Sequence, residues 1–249
     1  MKTGNSISRA WSGAWAVARR ELSAYFRQPA GWIIVALYLL LCGAVFSVMV
    51  LAPARPATMR PFFDVAGWLL LPVVPAVAMR LFAEEYRTGT IEPLATSPAS
   101  SLTLVLGKYA GGAIFLACMF APTLVYPALL TVYSDPAPDL GPIATGYLSL
   151  ALVAGLYLAV GIAASAGTSN ATLAFMTTLF VVLGFLLAGW LGRSLDDPWR
   201  SMLYRLSIPS RTGDFAKGII DTSHVVFFGG AIAWCLALTV GIVQWRRWR

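Results

Sequence analysis

Long uncharged runs broken by short polar stretches set the plan of this chain. Residues 31–51 carry no charged side chain, over the roughly 20 positions that an α-helix needs to cross hydrocarbon. Comparable runs follow at residues 62–82, 109–133, 143–166, 171–191 and 225–245, so the pattern predicts six membrane-spanning helices. Pro72 and Pro75 in the second run, and Pro122 and Pro127 in the third, predict bends where a backbone donor is lost. The fourth run is rich in small residues: Gly155 and Gly161, with Ala154, Ala159 and Ala163, predict close helix packing. Thr168-Ser169-Asn170 reads as a tight hairpin into the fifth.

Ahead of the first span, residues 6–27 show a different periodicity. Trp11, Trp15, Ala18, Leu22 and Phe26 recur at three- and four-residue steps, with Arg9, Arg19, Arg20 and Glu21 flanking that stripe. This predicts an amphipathic helix lying in the membrane interface. The short apolar core and small-residue cleavage site of a secretory signal are not in place there.

Two polar regions interrupt the spans. Residues 83–108 contain Glu84, Glu85, the Arg87-Thr88-Gly89-Thr90 turn and Glu92, none of which can lie unpaired in hydrocarbon without large cost. Residues 192–224 have helical features of their own. Asp196-Asp197-Pro198 reads as a helix start, and Trp199, Met202, Leu203 and Leu206 form an apolar stripe after it. Residues 214–221, from Asp214 to Asp221 through Gly218, read as a second short piece with Phe215 and Ile219 on one side.

Composition turns this pattern into a class. With 58% hydrophobic residues, 12% charged and a mean hydropathy of +0.73, the chain is an all-α integral membrane protein, a single transmembrane domain over residues 1–249. The net charge of +7 does not point to nucleic acid, because the basic residues flank apolar spans. Eleven of them fall on the side of the termini and seven on the other, which predicts cytoplasmic termini. The 83–108 loop is then cytoplasmic and the 192–224 loop external.

Candidate chemistry is sparse. Cys42, Cys118 and Cys235 lie inside apolar runs without metal-ligand spacing, and the single histidine, His224, has no partner at helical spacing. Asp64 sits in the first turn of the second run, where the helix dipole and interfacial water tolerate a carboxylate; a role toward a substrate or ion is the alternative. No set of groups suited to catalysis or proton relay lies within the spans, and no P-loop is present, so no catalytic residue, metal or directly bound cofactor is expected. Energy for any transport has to come from another chain.

The run FAEEYRTGTIEPLATSPASSLTLVLGKY, residues 82–109, resembles the signature of type 2 ABC exporter permeases: Glu-Glu after a span, a Gly-Thr turn, an acidic residue, a Thr-Ser-Pro stretch, then Gly-Lys opening the next helix. ARRELSAYFRQPAGWI at 18–33, Phe62-Phe63, LPVVPAVAMRLFAEE at 71–85 and DFAKGIIDTSHVVFF at 214–228 extend the likeness to the permeases of gliding-motility type, over nearly the whole chain.

The resemblance implies a six-helix half-transporter in the cytoplasmic (inner) membrane. It would pair with a second permease and with two copies of an ATP-binding subunit that holds ATP and magnesium. An external auxiliary protein is a further partner, and lipid surrounds the spans. By position, the residues coupling to the ATPase are Glu84, Glu85, Arg87, Thr88, Gly89, Thr90 and Glu92. Trp199, Leu203, Asp214, Gly218 and Asp221 mark an external gate or partner region. Pro93 departs from the helix-forming residue common in the family and shortens the expected coupling helix. Lys108 is expected at the membrane surface as an anchor. A scaffold that couples an ATPase to an external partner without moving solute is the rival expectation.

Overall fold

The computed structural model describes residues 4–51, 56–89, 100–135, 137–192 and 196–247, leaving aside the side chains of residues 4–11 and 247. Six stretches are long and apolar enough to cross a membrane: Pro29–Val50, Arg60–Thr88, Ser101–Tyr133, Leu140–Gly167, Ala171–Leu191 and Thr222–Arg246. The described residues contain no strand. Helix α1 (Gly4–Arg27) precedes α2 (Pro29–Val45), which ends in a π-helical turn, Phe46–Val50. Then come α3 (Arg60–Ala78), the short α4 (Ala83–Thr88) and α5 (Ser101–Phe120), which passes through a 3-10 turn, Ala121–Leu124, into α6 (Val125–Tyr133). The chain closes with α7 (Leu140–Gly167), α8 (Ala171–Leu191), α9 (Trp199–Leu206), α10 (Ile208–Phe215) and α11 (Thr222–Arg247).

Helix α7 is the centre of the bundle, with 72% of its apolar window buried against 17% for α11 and 22% for the first span. Its small residues are the cause. A Cβ added to Gly161 would come within 2.3 Å of the Ala78 Cβ, and one added to Gly146 within 2.3 Å of the Phe63 ring, so α3 lies against α7 at near backbone contact. Of the four prolines expected to bend their spans, Pro122 coincides with a break in the regular helix, whereas Pro127 lies within α6. Pro72 and Pro75 lie inside α3, which stops at Ala78, and Pro122 falls in the 3-10 turn that interrupts the third span. There the Thr123 hydroxyl donates to the Phe120 carbonyl at 2.7 Å, satisfying an acceptor that the irregular turn leaves open.

Two boundaries differ from expectation. The third span begins at Ser101, not at residue 109, and Ser100 caps it by accepting from the Thr103 amide at 3.1 Å. The polar residues Ser101, Thr103 and Lys108 are buried there, because α1 lies over them; a polar stretch that looks like a loop is a helix whose polar side is covered by protein. At the other end of the bundle the second short helix is Ile208–Phe215, earlier than residues 214–221. Gly218, at φ 87°, lies in the left-handed region that turns the chain away from a helix. Phe215 is consequently buried while Ile219 is exposed, so the two do not share a face.

Candidate functional site

The site is assembled where α1 crosses the start of α5, the most extensive helix pairing among the described elements. Gly107 and Gly111 make this approach possible. A Cβ on Gly107 would lie 2.7 Å from both the Ala14 carbonyl oxygen and the Val17 Cβ, and one on Gly111 would lie 2.8 Å from the Glu21 Cβ and 2.9 Å from the Ala18 carbonyl oxygen. The two glycines are one turn apart and bracket Lys108, so the lysine points into the crossing. Ala18 is buried as its periodicity predicts, but Trp15 is 62% exposed. The packed seam uses the smaller neighbours Ala14 and Val17 and the acidic Glu21, since the glycine strip leaves no room for an indole.

Helix α4 is carried to the same place by Ser165 of α7. Its hydroxyl accepts from the amides of Phe82 and Ala83, each at 3.0 Å, and donates to the Met79 carbonyl at 2.9 Å. One side chain thus satisfies the backbone groups released where α3 ends and α4 begins.

Four charges meet at this junction. The Lys108 ammonium lies 2.9 Å from Glu21 Oε1 and 2.9 Å from Glu85 Oε1. It also donates to the Leu81 carbonyl, so its three protons face three acceptors. It sits 5.0 Å from the centre of the Phe82 ring. Arg20 Nη2 reaches Glu85 Oε1 at 2.7 Å and Glu21 Oε1 at 2.9 Å. Exposure falls from 51% at the Arg20 side chain to 14% at Glu85, 13% at Glu21 and 1% at Lys108, so the cluster has a wet rim and a dry floor.

The electrostatics agree with the geometry. Burial alone would push the Glu21 carboxyl up, but Lys108 and Arg20 hold it below the ordinary carboxylate value. Burial would likewise lower Arg20, yet Glu21 and Glu85 hold its guanidinium above its usual value. The cluster is a charge-balanced set of two acids and two bases. Such a set adds little net stability over an apolar equivalent, whereas losing one member leaves a buried charge uncompensated. Its consequence is that α1, α4 and α5 are locked in one relative position.

The structure divides the candidate residues of the 83–108 region. Glu85 turns inward to the cluster, while Glu84 pairs with Arg87 at 39% and 64% side-chain exposure. Thr88 donates its hydroxyl to the Glu84 carbonyl at 2.8 Å, and Gly89 ends α4 at φ 71°. Thr90, Glu92 and Pro93 lie outside the described residues. Lys108 is not a surface anchor: it is two turns inside α5 and buried. Sequence reasoning missed the set as a set. The available signals were the four-residue spacing of Gly107 and Gly111 around a lysine and the position of Glu21 three residues after Ala18. Ser165 had no signal beyond being a serine in a span.

At the opposite end, Trp199 is 64% exposed, and Leu203 packs against Gly192. Asp214 lies 3.3 Å from Lys217 and 3.2 Å from His224, which hold its carboxyl below the ordinary range. Gly218 rests against Pro142, and Asp221 caps α11 by accepting from the Ser223 amide at 2.8 Å. Asp214, Gly218 and Asp221 thus form one corner between α10 and α11, while Trp199 and Leu203 belong to α9.

No protein-family model matches the chain, and no curated protein matches it. The fold and composition define a multi-pass helical membrane protein.

Proposed function

We propose that this protein is the permease subunit of an ATP-driven exporter of the type 2 ABC class, set in the inner membrane with both termini in the cytoplasm. In this reading α1 is the interfacial helix, α4 the coupling helix and α9–α10 the external cap. ATP is hydrolysed by a separate subunit present in two copies beside a second permease. The observation that supports it is the tie between α4 and two other elements: Glu85 joins Lys108 of α5 and Arg20 of α1 within 2.9 Å. A push on the exposed Glu84–Arg87 face of α4 is then delivered to the second and third spans and to α1 together. Glu84 and Arg87 are the contacts for the ATPase, and Glu85 is the internal link.

Co-expression with each unfused ATP-binding-cassette ATPase of the source genome tests this. A stoichiometric complex with one of them is expected, with ATPase activity in proteoliposomes that falls severalfold in Glu84→Ala and Arg87→Ala while assembly of the bundle is kept. Absence of any such complex overturns the reading.

A further inference from the structure

A second polar site lies at the end of the bundle away from the termini. There α3, α7, α8 and α10 enclose a cavity of about 170 Å³. From α3, Asp64 and the half-exposed Trp68 line it one turn apart, with Gly67 between. Its α7 wall runs inward from Gly146 to Tyr157, about 16 Å of helix at 1.5 Å per residue. Asp64 has no ion-pair or hydrogen-bond partner among the described residues, and no basic residue lines the cavity. Arg211, beside the lining residue Thr212, is engaged elsewhere: its guanidinium lies 3.9 Å from the centre of the Phe227 ring and donates to the Arg205 carbonyl. Deeper in, the Tyr157 hydroxyl is buried without a partner, an open hydrogen-bonding group beyond Leu150 and Val153 on a wall that begins with Gly146 and Ser149. Gly67 and Gly213 also line the cavity, and a Cβ on either would meet nothing within 4 Å.

A lone carboxylate one turn from an indole, above a largely apolar wall, selects one ligand chemistry. The carboxylate attracts a cation, the indole adds attraction for a soft, weakly hydrated one, and the apolar wall rewards a hydrocarbon body. An anion finds no positive group there, and a small hydrated metal ion gains nothing from Trp68 or the apolar wall. We propose that this cavity binds an organic ammonium ion, its charge held between Asp64 and Trp68 and its apolar body lying inward along α7. As a binding site it stands by itself; as the identity of a transported cargo it rests on the exporter reading.

The test is isothermal titration of the full chain in lipid nanodiscs with benzyltrimethylammonium, using empty nanodiscs as blank. Saturable binding at one site per chain is expected. It should weaken at least tenfold in Asp64→Asn and several-fold in Trp68→Leu, and be lost in Gly67→Leu, which fills the cavity without altering the carboxylate. Neopentylbenzene, the neutral isostere, and benzenesulfonate should neither bind nor compete. Each variant is compared at an unchanged melting temperature, with Asp64→Glu as the charge-preserving control. Two lipid backgrounds separate the sources of the ammonium group. Weaker binding in phosphatidylcholine than in phosphatidylglycerol nanodiscs identifies a lipid headgroup as occupant, and equal binding identifies a free amine. No saturable binding by the wild-type chain, equal binding of the neutral isostere, or full binding by Asp64→Asn overturns the proposal. ATPase stimulation by the same amine in the reconstituted complex tests the exporter reading separately, since binding without stimulation keeps the site and removes the cargo.

Discussion

The two ends of this bundle treat charge in opposite ways. Near the termini, Arg20 and Lys108 each lie within 2.9 Å of both Glu21 and Glu85 and the charges balance, whereas at the far end Asp64 faces a cavity lined by no basic side chain among the described residues. The first arrangement fixes three helices relative to one another, with the Glu85 Oε2 atom alone of the four groups' buried oxygens left without a partner. The second fixes nothing and leaves a carboxylate with unspent attraction. Satisfied charges in a low-dielectric setting act as geometry, and unsatisfied ones act as recognition.

The contrast can be broken most severely at Lys108. Lys108→Met leaves Glu21 and Glu85 as neighbouring, mostly buried carboxylates that share Arg20 at the wet rim, a loss of about 3 kcal/mol. A large drop in detergent melting temperature is expected, with part of it restored in the triple variant that adds Glu21→Gln and Glu85→Gln. An unchanged melting temperature for Lys108→Met alone would show that the cluster does not hold the helices. Next is Gly107→Val, which drives a side chain into Ala14 and Val17 at a cost of about 1 to 3 kcal/mol. Release of α1, read as faster proteolysis ahead of Pro29, is expected.

A pH series sharpens the comparison. Because Glu21 has a folded pKa below its ordinary value of 4.5, its contribution to stability is fully present above that value and is lost as pH falls through the depressed one. The wild-type melting temperature should therefore fall on acidification below the ordinary value of 4.5, and Glu21→Gln should flatten the part due to this group. The smallest effect belongs to the unpaired carboxylate. Asp64→Asn removes no partner and should change stability by no more than about 0.5 kcal/mol, while abolishing most amine binding. A large destabilisation there would mean that Asp64 is a structural charge after all, and the contrast between the two ends would fail.

The two ends were also unequally legible. Asp64 could be placed at the opening of the second span from its position alone, because helix dipole and interfacial water are local effects. That nothing neutralises it depends on what α7 and α10 bring alongside. The seven residues picked from the 83–108 region include Glu85, yet its true partners are 65 and 23 positions away, at Arg20 and Lys108. Lys108 read as an anchor because a lysine before an apolar run ordinarily reaches for water. Here α1 covers it, through glycines whose role is visible only when Ala14 and Val17 are known to face them. The same kind of covering buries Ser101, Thr103 and Lys108 in a third span that begins at Ser101.

What the sequence determined by itself was the count of spans, the break at Pro122 and the small-residue character of α7. Those follow from hydrocarbon thickness, missing backbone donors and side-chain size, which are properties of single segments. Tertiary structure decided which charges are paired and which are left open. Pairing depends on atoms approaching within about 3 Å across elements distant in the chain, and no local pattern specifies which helix face meets which.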